Sequence, residues 1–265
     1  MIDSHCHLVD DAFAADRDEA VERARAAGVD GIVVVAESVA SSEAARALCA
    51  GRSGLWPTAG LHPHRGIDFN DESAMALARL QGLADVVAVG ETGLDYHYDH
   101  SPRERQRASF EWHLSQSAVT GKPCIVHARE ADEDVARMIA DAPAGASGVL
   151  HSFSGGRELL LAALERGFAV SFSGMVTFAK YDQQWAVEMV PDDRLLIETD
   201  APFLAPAPNR GRRNEPSYLP RTAARVAEIR GASVERIAEL TRNNAIALFR
   251  LSHAPLPTSH FPGGA

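Results

Sequence analysis

Short β-branched, apolar runs alternate along this chain with Ala/Leu/Arg/Glu-rich stretches of helical period. The runs "MIDSH" at 1–5, "GIVVVAE" at 31–37, "LWPTAGLH" at 55–62 and "VVAVGE" at 86–91 predict four strands. "CIVHA" at 124–128, "GVLHSF" at 148–153, "FAVSFSG" at 168–174 and "RLLIETD" at 194–200 predict four more. Helices are expected over 14–27, 42–51, 72–82, 102–120, 131–141, 157–166 and 183–190, with a C-terminal pair over 220–230 and 233–249. Ser41-Ser42 and Ser101-Pro102 supply helix starts, while Gly28, Gly121 and Gly167 follow helix ends. The strand cores are continuously apolar, as a parallel sheet covered on both faces requires.

Eight strand-then-helix units predict a closed (β/α)8 TIM barrel, a single α/β domain over 1–251. A doubly wound open sheet is the runner-up, and the lack of GxGxxG after the first strand counts against it. The tail at 252–265, rich in Pro, Gly and Ser, reads as loosely packed, so His253 and His260 are not expected to be ligands.

With 265 residues, 46% of them hydrophobic, the chain can bury a substantial core. No apolar run is long enough to span a membrane, and the N-terminus lacks the basic and apolar regions of a secretion signal. Cys6, Cys49 and Cys124 form no CxxC pair and read as reduced, mostly buried thiols, so a cytoplasmic location is expected. The net charge of −10 disfavours tight non-specific duplex binding, but not a local basic patch.

The chemistry lies where the polar residues fall. His5 and His7 end the first strand, His62 the third, Glu91 the fourth, His127 the fifth and His151 the sixth; Glu198 and Asp200 end the eighth. In a barrel these strand ends converge on the face that carries catalysis. Alternation along a strand turns His5 and His7 to one side and Cys6 to the other, so two imidazoles can grip one cation. Four histidines with Glu91 and Asp200 suffice for two metals if one carboxylate bridges. Glu91, on the strand between the two His pairs, suits that role. Leaving so many polar groups buried without partners or metal would cost several kcal/mol each. Other residues read less sharply. His97 and His100 either touch substrate or face water, His64 is a loop residue near the rim, His113 is structural, and Glu37 lines the pocket or caps the next helix.

The motifs "DSHCHL", "GLHPH", "GETGLDY", "KPCIVHAREA", "GVLHSFSGG", "LLIETDAPFLAP" and "NRGRRNEP" follow one another across the chain. In that order they resemble the TatD-type metal-dependent deoxyribonucleases of the amidohydrolase-like barrel superfamily. The departures, Ser152 and Thr92, sit where the strand turns side chains away from the site. The resemblance implies two divalent ions, Mg, Mn or Zn. His5, His7, Glu91 and Asp200 would hold the first, and Glu91 would share the second with His127 and His151. It implies substrate-facing roles for His62, Asp95, Arg129, Glu198, Arg210 and Asn214, and places the 210–216 loop at the substrate. The implied activity is hydrolysis of phosphodiester bonds, with single-stranded DNA ends as the partner, no membrane, and a monomer as the working expectation. Glu91, Asp200 and His62 would serve the chemistry, Asp200 handling the proton of the attacking water. The same centre would also suit another ester or amide, including a mischarged aminoacyl-tRNA, because a fold does not fix a substrate. A non-catalytic binding barrel is disfavoured because all six expected ligands are present.

Overall fold

The computed structural model describes residues 1–251; the reading made for 252–265 lies outside the described residues. Eight strands form one parallel sheet in chain order: β1 (Ile2–Cys6), β2 (Gly31–Val34), β3 (Leu55–Ala59), β4 (Ala88–Asp95), β5 (Cys124–Arg129), β6 (Gly148–Leu150), β7 (Ala169–Phe172) and β8 (Leu195–Ile197). Closure comes just beyond β8, where Asp200 N–H donates to His5 O at 2.9 Å and His7 N–H to Ala201 O at 2.8 Å. The helices that return the chain are α1 (Arg17–Ala26), α2 (Val39–Cys49), α3 (Asp71–Gln81), α4 (Arg103–Thr120), α5 (Asp132–Ala140), α6 (Arg157–Glu165), α7 (Gln184–Met189) and α8 (Leu219–Arg230). A further helix, α9 (Val234–Phe249), follows.

Local chemistry sets these boundaries. Ser38 opens α2 and Asn70 opens α3 with reciprocal capping boxes, while α4 and α8 stop at Gly121 and Gly231 in left-handed conformation. The start of α2 at Val39, earlier than the expected 42, follows from that Ser38 cap. A 3-10 helix over Pro63–Asp68 was not legible in the "LHPHRG" stretch.

Two main apolar layers hold the barrel, with a smaller cluster of Ala59, Leu61, Leu77, Leu80 and Val86 beside them. One layer takes a residue from every strand, including Ile2, Val33, Trp56, Ile125 and Leu196, and is plugged by Ala245 and Phe249 of α9 and by Leu251 just beyond it. The larger layer lies between strands and helices and contains Cys6, Phe110, Cys124 and Phe172. All three cysteines are free and buried, and Cys6 packs into that outer layer, as alternation with the histidines on either side requires.

β4 is the irregular strand. It runs on to Asp95, four residues beyond the expected end, and its ladder to β5 shifts register between Val89 and Thr92. Glu91 leaves the regular pairing there, its N–H donating to Ala36 O at 2.9 Å. Gly60 makes this possible, because a Cβ at that position would lie 2.3 Å from the Gly90 Cα. At Gly93, with φ of +131°, a Cβ would lie 2.0 Å from His127 O.

His113 lies fully buried on α4 and is structural. Its Nδ1–H donates to Ser109 O at 2.7 Å, and its Nε2 accepts the Leu61 N–H at 3.2 Å, one residue from His62. Burial pushes its pKa down to about 4. The folded pKa lies below the unfolded one, so the associated stability is complete above about pH 6.5 and is lost as pH falls toward 4. Between pH 7.5 and 5 the loss is about 2 kcal/mol. His113→Leu should be less stable to urea at pH 7.5 by about 1–3 kcal/mol, because the Leu61 N–H is orphaned. Its further loss at pH 5 should be smaller than wild type's by about 2 kcal/mol, and equal pH dependence in the two proteins would show that the buried ring charges freely.

Candidate active site

Glu91 stands at the centre of the C-terminal end of the barrel, 1% exposed, with five imidazoles around its carboxylate. Oε2 faces His5 Nε2 at 3.3 Å and His7 Nε2 at 3.5 Å. Oε1 faces His151 Nε2 at 2.9 Å, His127 Nδ1 at 3.2 Å and His62 Nε2 at 3.4 Å. Asp200 enters from the other side, its Oδ1 lying 3.6 Å from His5 Nε2 and 3.5 Å from His7 Nε2. The six expected ligands are therefore gathered in space, with two histidines at Oε2 of Glu91 and three at Oε1.

The backbone explains this convergence. β1 shifts register between Asp3 and Cys6, and His5 turns inward to stack on His151 at 4.0 Å. Asp200, with φ of +57°, sits where the chain leaves the β8 ladder. Asp3 is fully buried between these two segments: Oδ1 accepts the N–H groups of His5 at 3.3 Å and Thr199 at 2.9 Å, and Oδ2 accepts the Thr199 hydroxyl.

Two more carboxylates set the tautomers. Asp95 Oδ2 accepts from His127 Nε2 at 3.0 Å, which leaves the Nδ1 lone pair turned toward Glu91. Glu198 Oε1 accepts from His151 Nδ1 at 3.2 Å, which leaves Nε2 toward Glu91. His62 has the opposite arrangement. Its Nδ1 accepts the His64 N–H at 3.1 Å, so the neutral ring carries its proton on Nε2 and offers a donor in place of a lone pair.

Charge at the site follows from this packing. Burial would raise Glu91, yet the His151, His62 and His5 imidazoles hold it well below the usual carboxylate range. Burial opposes the charging of His7, but Asp200 and Glu91 hold its pKa up to about 9. Against the same opposition, Glu91 and Glu198 raise His151. Burial pushes His62 down to about 4, keeping that ring neutral. His5 Nδ1, His7 Nδ1, Glu91 Oε2 and Glu198 Oε2 are buried without hydrogen-bond partners. Converging imidazole and carboxylate lone pairs, with orphaned atoms among them, fit a divalent cation better than a closed hydrogen-bond network. The sets His5, His7 and Asp200; His62, Glu91 and His127; His5, His151 and Glu198; and His7, Glu37 and Glu91 each bring ligand atoms within 4.8 Å of one another.

A cavity of about 800 Å³ opens above this centre. His7, His62, Glu91, His127, His151 and Asp200 form its floor, and Arg129, Arg210 and Arg212 stand among its rim residues. Arg129 lies over the Tyr98 ring at 4.7 Å and Arg210 over the Phe178 ring at 3.5 Å.

Several expected substrate contacts need correction. Asn214 is fully buried, its amide donating to Thr199 O and Phe203 O, so it braces the loop from behind. Glu198 is fully buried behind His151 and does not line the cavity. Asp95 lines it, but its oxygens are taken by His64, His127 and the His97 and Tyr98 N–H groups. Arg213 turns away to Asp16 at 2.5 Å, while Glu215 pairs with Arg23 at 2.6 Å, tying the 210–216 loop to α1. Glu37 lines the pocket, and His64 joins it through Asp95. His97 pairs with Glu130 at 2.6 Å and His100 stacks on Tyr98, both outside the cavity wall. The lining aromatics Tyr98, Phe178 and Phe203 carried no sequence signal beyond type; Phe203, in "APFLAP", is 50% exposed.

These features define a class first: a closed (β/α)8 barrel with a histidine–carboxylate centre at its catalytic face. Residues 2–250 match the family model described as TatD related DNase. The chain is 38% identical over 255 residues to a Bacillus subtilis (strain 168) protein described as the uncharacterized metal-dependent hydrolase YabD, covering 95% of this chain and 100% of that protein. It is 38% identical over 260 residues to a Pantoea vagans (strain C9-1) protein named 3'-5' ssDNA/RNA exonuclease TatD, again covering 95% and 100%. Among solved structures, the TatD homologue YJJV of Escherichia coli K12 superposes with a TM-score of 0.88 at 30% identity, over 95% of this chain and 98% of that one. The chain belongs to the TatD-related DNase family and is a metal-dependent hydrolase of that family.

Asp3 ties the first histidine to the Asp200 segment, so removing it should loosen the grip on metal before it unfolds the barrel. Asp3→Ala should weaken Mn²⁺ binding about tenfold or more in calorimetric titration. Asp3→Asn, which keeps an acceptor for the two N–H groups, should lose less. Unchanged Mn²⁺ affinity in a folded Asp3→Ala protein would remove this clamp from the account.

Proposed function

We propose that this protein hydrolyses phosphodiester bonds at the ends of single-stranded DNA, using two divalent cations that share Glu91. The observation that carries the reading is the split of the Glu91 carboxylate, Oε2 toward His5 and His7 and Oε1 toward His127 and His151. His5, His7, Asp200 and Glu91 would hold one ion, and His127, His151 and Glu91 the other. Bound there, such ions lower the pKa of water and offset the charge of a phosphodiester in line for attack. The exonuclease name carried by the Pantoea relative supports a nucleic-acid substrate.

The chain's own residues do the rest. Asp200, on the cavity floor, accepts the proton released by the attacking water. His62, neutral and protonated on Nε2, donates to a phosphate oxygen or to the leaving oxygen without adding charge. Asp95 and Glu198 keep His127 and His151 in the tautomers that hold cations. Arg129 and Arg210 offer guanidinium edges at the mouth, each steadied against an aromatic ring.

EDTA should abolish hydrolysis of single-stranded DNA, and Mg²⁺ or Mn²⁺ should restore it; full activity after exhaustive chelation would sink the metal mechanism. Glu91→Gln should lose both ions together, read by elemental analysis after dialysis, and retention of two ions would refute the shared carboxylate. Asp200→Asn should lower turnover by about 10²–10⁴-fold, as expected for removal of an acid–base group.

A further inference from the structure

A second cavity, of about 440 Å³, adjoins the one above the metal ligands and shares four lining residues with it: Ser154, Met175, Phe178 and Arg210. The Arg210 guanidinium carbon lies 3.5 Å from the centre of the Phe178 ring, so a fixed positive charge stands between the two spaces. Beyond it the lining adds Lys180, Tyr181 and Gln183. Tyr181 Oη and Gln183 Oε1 are buried without hydrogen-bond partners, while the Gln183 amide N–H groups donate to Ser154 O and Gly155 O.

Charge points the same way. Arg129, Arg210 and Arg212 on the first cavity and Lys180 on the second make no ion pair among the described residues. In a chain of net charge −10 with only two lysines, most other described cations are consumed in pairs, such as Arg23 with Glu215 or Arg230 with Asp192. Asp182 is the single acid on the second lining. The second space is within the usual size of a small-molecule site. A lone phosphate ester would fill only the space above Glu91; a polymer has to leave it, and the way past Arg210 into the adjoining cavity is cationic.

We propose that this adjoining cavity is a subsite for the next nucleotide of a single-stranded polynucleotide, whose phosphate meets Arg210 and Lys180. The proposal rests on the nuclease reading and specifies it: the protein recognises a chain, not an isolated ester. Stacking platforms combined with cations are how proteins hold single strands without reading sequence.

The test compares labelled dithymidylate and tetrathymidylate binding to the intact chain by fluorescence anisotropy, with Ca²⁺ as the divalent ion. Wild type should bind the tetranucleotide about tenfold more tightly than the dinucleotide. Lys180→Glu should erase most of that advantage, and Lys180→Arg should keep it. The slope of log affinity against log salt for the tetranucleotide should fall by about 0.7 in Lys180→Gln, one phosphate contact's worth. Equal affinity for the two lengths, binding of neither, or a Lys180→Glu protein indistinguishable from wild type overturns the subsite. Cleavage assays separate this from the nuclease reading. If Mn²⁺-loaded enzyme cleaves both lengths with equal kcat/KM, the nuclease reading stands and the subsite falls. A length advantage in binding, with no cleavage of any phosphodiester, leaves the subsite standing and removes the nuclease reading.

Discussion

The structure is organised around one buried charge. Glu91 is almost fully enclosed, and an ionised carboxylate in that position is tenable only if positive charge or donors surround it. The barrel meets that demand with imidazoles from four other strand ends: His5 from β1 and His7 just beyond it, His62 beyond β3, His127 from β5 and His151 beyond β6. To bring Glu91 inward, β4 gives up regular pairing at that residue, and Gly60 and Gly93 clear the space its path requires. The local irregularity of β4 and the global closure of the barrel are therefore answers to the same electrostatic problem.

The closing seam deepens that connection. The two backbone hydrogen bonds that join the end of β8 to β1 are made by His5, His7 and Asp200 with Ala201, so three expected ligands lie on the seam itself. Asp3 adds side-chain bonds to both sides of it. A shift of β1 along the barrel would move the histidines and break the closure at once. Fold and site therefore share residues at this end of the barrel. Interiors close-packed on both sides of the strands transmit any such shift.

Much of this was legible in the sequence. The eight-fold alternation of apolar runs and helical stretches predicted the barrel, and the position of each strand end predicted which polar residues would converge. The "HCH" alternation correctly separated His5 and His7 from Cys6. What escaped was pairing in three dimensions. Nothing local in "GETGLDY" says that β4 continues to Asp95, because its glycines read as strand breakers until the close approach of His127 O explains one of them. Asp95 and Glu198 look like substrate contacts in one dimension; only the positions of His127 and His151 turn them into carboxylates that fix a tautomer. The arginine-rich loop divided for the same reason. Asp16, nearly two hundred residues earlier, captures Arg213, while Arg210 and Arg212 stay at the cavity.

That division gives the site its sense of charge. Glu37, Glu91, Asp95 and Asp200 line the cavity among His7, His127 and His151, whose positive charge these carboxylates favour, beneath a cationic rim. Rim arginines can attract a polyanion, while the imidazole charge of the floor is spent on its own carboxylates. On the two-ion reading, four positive charges placed among these carboxylates would match their four negative ones. Metal and substrate then favour one another's binding, and by linkage the coupling must be mutual: whatever the cations add to substrate affinity, the substrate adds to theirs. A centre of this kind is selective through its own carboxylates. They pair with charged imidazoles until cations displace those protons, so ions and protons compete for the same site.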